Sequence, residues 1–111
     1  MKTCAYTILK NEIKYIENWL HYTKDFDYRC LLDTGSTDGS WEILLEAAKL
    51  DSNLIIEQKI FTPWNFSVAR NYNLTMIPSD MDWCLSPDMD EHFSINVLDD
   101  MKTIKSINEL L

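Results

Sequence analysis

The sequence predicts an α/β domain: a mainly parallel sheet with helices on both faces, a three-layer sandwich. Two observations carry this expectation. Short apolar runs alternate with segments of helical period, in the order β-α-β-α-β-α-β-α, the pattern of strands linked by crossover helices. No repeat, low-complexity tract or linker interrupts the alternation, and 111 residues leave room for one domain spanning 1–111.

The elements follow in order. Residues 3–9 read as a strand. Residues 12–24 carry Ile13, Ile16, Trp19 and Leu20 at helical spacing. Residues 27–32 form a second apolar run, followed by Asp33-Thr34-Gly35-Ser36-Thr37-Asp38-Gly39-Ser40, a loop rich in turn formers and helix caps. Trp41, Leu44, Leu45 and Ala48 mark the next helix face, and Asn53 to Ile60 a third strand. Phe66 to Ile77 reads as a helix closed by Pro78, Asp82 to Ser86 as a fourth strand. Val97, Leu98, Met101, Ile104, Ile107 and Leu111 outline a last amphipathic helix.

Composition narrows the function. With 10 basic against 18 acidic residues the formal net charge is −8, and no basic stretch is interleaved with aromatics, so nucleic acid is not an expected partner. Cys4, Cys30 and Cys84 are widely spaced within apolar runs and lack a C-x-x-C pair. They are expected to be reduced, buried packing residues, without a zinc or redox motif. The opening residues do not resemble a signal peptide, and no run approaches the ~18 apolar residues of a membrane span. A cytoplasmic location is therefore expected. The sequons at Asn65 and Asn73 are read as chance matches.

In parallel α/β sheets, ligands bind outside the carboxyl ends of the strands. Those ends carry Lys10-Asn11-Glu12, Asp33, and Asp88-Met89-Asp90-Glu91. The aromatic Phe61–Phe66 loop and Arg70-Asn71 follow the third strand. A carboxylate-rich crevice with one arginine needs a cation to hold an anion, and hard oxygen ligands suit Mn²⁺ or Mg²⁺. In an extended segment Asp88 and Asp90 point to one side and Met89 to the other; a solvated acidic turn is the alternative. Asp38 is the better helix cap, which leaves Asp33 for a ligand role. By type alone Lys10 and Arg70 read as surface charges before ligands, Trp64-Asn65-Phe66 as a core or loop anchor, and His92 as an incidental surface residue.

Four motifs in this order resemble the amino-terminal half of the family 2 glycosyltransferases, which have the GT-A fold: Lys10-Asn11-Glu12, Asp33 to Ser40, Phe66-Ser67-Val68-Ala69-Arg70-Asn71, and Asp82 to Glu91. The match covers roughly residues 3–93. It implies a nucleoside-diphosphate sugar as ligand, a UDP-sugar being favoured. Asp33 would contact the base or ribose, and Leu9, Lys10 and Asn11 would line the same pocket. Arg70 would hold the base or diphosphate, and Asp88 would lie near the ribose or sugar. Asp90, with Asp88, would bind the Mn²⁺ or Mg²⁺ ion that offsets charge on the leaving diphosphate. Asp38 would stabilise the loop and the helix start.

The sequence departs from the family at Ser86-Pro87, where an apolar stretch is usual; Pro87 cannot donate to a ladder, so the strand must end there or lie at an edge. The acceptor half and the catalytic base of such enzymes are expected downstream of Leu111, so no catalytic residue is assigned and the chain reads as a donor-binding half. An open edge near Pro87 could serve a missing second half or a homodimer. Two other readings compete. One is a nucleotidyltransferase, disfavoured because Gly35 and Gly39 are the only glycines and neither follows the first strand. The other is a truncated domain that binds nucleotide or protein without turnover.

Overall fold

A computed structural model describes residues 2–89. Seven elements follow one another: β1 (Thr3–Leu9), α1 (Ile13–Tyr22), β2 (Tyr28–Asp33), α2 (Ser40–Leu50), β3 (Leu54–Gln58), α3 (Phe66–Thr75) and β4 (Trp83–Leu85). The expected helix over 97–111, together with Asp90, Glu91 and His92, lies outside the described residues.

The four strands form one sheet in the order β3-β2-β1-β4, every described pair parallel. β2 is central, and from Arg29 to Asp33 it is buried without a break, as expected of a parallel strand covered on both faces. Chain order and spatial order together fix where the helices go. The first two crossovers step from β1 to β2 to β3, whereas the third returns past both to the far edge. With right-handed crossovers, a reversal of direction moves the connecting helix to the opposite face.

Packing agrees with that rule. Ala5, Leu9, Leu31 and Leu54 on one face of the sheet close a core with Ile16, Trp19, Phe26, Leu44 and Met89. These side chains come from the sheet, α1, the turn between α1 and β2, α2 and the segment after β4. On the other face, α3 buries Ala69 and Asn73, and the Asn73 amide donates to the Cys30 carbonyl at 3.4 Å. Arg29 is held in the first layer by an ion pair with Asp51 and a bond from Nη1 to the Leu20 carbonyl.

Several boundaries differ from expectation, each for a local reason. β2 extends to Asp33, which pairs with Leu9 and Gln58 and so belongs to the ladder. α3 ends at Thr75 before reaching Ile77, because the Met76 and Ile77 amides bond to carbonyls three residues back and tighten the last turn. β4 stops at Leu85, ahead of Pro87, and lies at the edge of the sheet formed by the described residues. Of the three cysteines, two are buried as expected and one needs correction. Cys4 and Cys30 are fully buried with sulfurs 3.7 Å apart, and contact with Cys30, then burial, holds the Cys4 thiol above its ordinary value. Cys84 is exposed. It shares their face, since its register partner is Cys4, but it sits on the edge strand while α3 packs over β1 and β2.

Candidate nucleotide site at the carboxyl end of the sheet

The sheet order reverses between β1 and β4, and the crevice outside such a reversal is where open α/β sheets take ligands. A cavity of about 310 Å³ lies there, lined by Ile8, Leu9, Lys10, Glu12, Thr34, Trp64, Phe66, Asp88 and Met89. Strand length helps to open it. Pairing with β4 ends at Ala5–Leu85, while β1 runs on to Leu9 beside β2. The Leu9 carbonyl accepts from the Thr34 amide at 2.9 Å, on the β2 side. Main-chain groups alternate along a parallel strand, so the Ile8 amide faces the β4 side, beyond the last β4 partner. Pro87, which brings no N–H, cannot extend the ladder there.

The floor is shaped by the loop after β2. Asp33 is completely buried. Its Oδ1 accepts from the amides of Gly35 at 2.8 Å and Ser36 at 2.7 Å, folding the chain back over the strand end. Its Oδ2 is buried with no hydrogen-bond partner among the described residues, unusual for a carboxylate oxygen. Asp33 was expected to be left free by Asp38. It instead spends one oxygen on the loop and keeps the other unpaired, and Thr34 rather than Asp33 lines the cavity.

Asp38 and Asn11 clasp this loop to the start of α1. Asp38 Oδ1 accepts from the Ser40 hydroxyl and amide, and Oδ2 accepts from the Ile13 amide at 3.2 Å. One carboxylate thus serves the amino ends of two helices, and the Ser40 hydroxyl above all holds it below its ordinary value. The capping position of α2 itself is Gly39, at φ +98°. Asn11, at φ 54°, accepts from the Thr37 amide at 2.7 Å and donates its own amide to Ser36 Oγ at 2.8 Å. It braces the loop and is not among the cavity-lining residues.

Of the other expected residues, Leu9, Lys10 and Asp88 meet at the cavity. Arg70 stands behind the wall, its guanidinium 5.8 Å from the Phe66 ring and 6.0 Å from that of Tyr6. Asp90 lies outside the described residues. Glu12, Thr34, Trp64 and Phe66 belong to the lining without having been singled out for it. For the aromatics a signal existed: two large rings in a short segment between a strand end and a helix. Asn65 between them caps α3, accepting from the Val68 amide at 3.1 Å.

Two residues with hard oxygen donors, Asp88 and Glu12, and one cation, Lys10, are among those lining the cavity. Among the described residues no group of three or more His, Cys, Asp or Glu side chains is placed to hold a metal ion. No helix among them is long and apolar enough to cross a membrane. No protein-family model matches this chain, and no curated protein matches it significantly in sequence.

Proposed function

We propose that this chain binds a nucleoside-diphosphate sugar in the crevice between the ends of β1 and β4, as the donor half of a GT-A-type glycosyltransferase. One observation supports the reading above the others: Lys10 and Asp88, from separate motifs at opposite ends of the described chain, converge with Leu9 on one cavity at the reversal of strand order.

In this reading the base and ribose lie against the end of β1 and the Thr34 loop, with the diphosphate towards Asp88. Asp33 Oδ2, buried beneath the lining, would accept from a ribose hydroxyl or base N–H once the loop at Thr34 opens to it. Lys10 draws the anionic ligand in. Asp88, with Asp90 beyond the described residues, would hold a Mn²⁺ or Mg²⁺ ion whose oxygen shell the diphosphate completes. Such an ion supplies charge neutralisation for the departing diphosphate. The residues present hold and orient a donor, and the group that activates an acceptor hydroxyl is not assigned to any of them.

Calorimetric titration with UDP and GDP, with and without Mn²⁺, tests the proposal on wild type and Asp88→Asn. Metal-dependent binding that weakens at least tenfold in the variant is expected. Absence of binding to either nucleotide under both conditions would leave a non-catalytic domain as the better reading.

A further inference from the structure

We infer that Trp64 is the stacking platform for the base of the bound nucleotide and the side chain that sets how tightly that base is held. This rests on the nucleotide reading above and adds a residue to which none of the four motifs assigns a role.

Trp64 lines the cavity while remaining 55% exposed, and Phe66 on the same wall is 53% exposed. Two rings that leave half their apolar surface in water beside a concave site are uncovered in a way the core does not explain. The segment carrying them is fixed before any ligand arrives. Phe61 meets the Trp64 ring edge-on at 6.4 Å, Asn65 caps α3, and Arg70 backs Phe66 at 5.8 Å. The faces are therefore held in place, which lowers the ordering cost of stacking.

Across the cavity, β1 presents the complement that a base requires. The Ile8 amide lies past the end of the β4 pairing, and the Ile8 carbonyl accepts from the Thr7 hydroxyl at 3.3 Å. A planar heterocycle can stack on the indole face and put its polar edge against this backbone. A cavity of about 310 Å³ is at the small end for ligand sites, suited to a nucleoside with the diphosphate leading out past Asp88. A base stacked on an aromatic ring is sensitive to loss of that ring and tolerant of exchange for another.

Uridine and UDP would be titrated separately into wild type, Trp64→Ala and Trp64→Phe, with far-UV circular dichroism and a thermal melt confirming that each variant folds. Trp64→Ala should weaken both ligands by at least about fivefold, and by the same factor, because the loss lies in the base. Trp64→Phe should retain most of the affinity. Wild-type fluorescence should be quenched by uridine alone, with the quench lost in Trp64→Phe. Equal affinity of Trp64→Ala and wild type for UDP would overturn the stacking role and leave the nucleotide site standing. A loss seen with UDP but not with uridine would place the diphosphate on this wall and overturn it as well. Failure of wild type to bind either ligand would overturn both proposals together.

Discussion

The indole nitrogen of Trp19, buried in the middle of the core on α1, donates to the carbonyl oxygen of Pro87 at 3.3 Å, 68 residues further along the chain. The bond ties the helix that follows the first strand to the segment that leaves the last one. Asp88 is the next residue, and Met89 beyond it is buried in the same cluster as Trp19. The carboxylate at the cavity is thus held from both sides by core residues.

Trp19→Phe should accordingly reach further than a core substitution. It removes the donor to Pro87 and leaves part of the indole volume empty, which should destabilise the fold by about 2 kcal/mol. Chemical denaturation measures that loss. The UDP affinity of the folded variant should also fall, since Asp88 loses its anchor; unchanged affinity would show that Met89 alone positions it.

Asp33 separates loop shape from ligand binding. Asp33→Ala removes the acceptor for the Gly35 and Ser36 amides and should cost about 2 kcal/mol. Asp33→Asn keeps an oxygen for those amides and should stay close to wild type in stability, yet it replaces the unpaired Oδ2 with a donor. Its UDP binding should therefore be weakened. Full affinity in Asp33→Asn would remove the side chain from the ligand's contacts.

Both glycines of the chain lie in the loop after β2, at φ +125° for Gly35 and +98° for Gly39. A methyl group at Gly39 would meet Ile13 Cδ1 at 3.1 Å. Gly39→Ala combines an unfavourable backbone with that contact and should destabilise by about 1–3 kcal/mol. A melting temperature equal to wild type would mean that the loop can adopt another path.

Acid should loosen the same loop. The Asp38 carboxyl lies below its ordinary value because the Ser40 hydroxyl, and then the Ser40 and Ile13 amides, favour the charged form. A group whose folded value is depressed contributes stability above its unfolded value, about 3.9 for aspartate, and loses it as pH falls through the folded value. Asp38→Asn should therefore melt below wild type at pH 6, with the difference narrowing below about pH 4. Asp80, held down by Lys2, titrates in the same range in both proteins, so it cancels from the comparison. A difference that stays constant with pH would refute the assignment.

Alternation of apolar runs with helical segments determined that this is an α/β chain with parallel strands, and Pro87 marked where the fourth strand must stop. These features are local: a hydrophobic period, or a residue without an N–H, acts whatever the chain's global path. Residue types also marked the strand ends as the place to look, because carboxylates, a lysine and glycines gather there. The division of labour among them was decided elsewhere. Asp38 was legible as a cap, but Asp33 and Asn11 were both expected at the ligand. Only the approach of the loop after β2 to the start of α1 makes Asn11 and Asp38 clasps, and buries Asp33 with one oxygen unpaired. The cavity likewise depends on β4 pairing with β1 at the far edge and ending before it. Strand order follows from which apolar faces pack together across long stretches of chain, and that choice is made by the whole core rather than by any one segment.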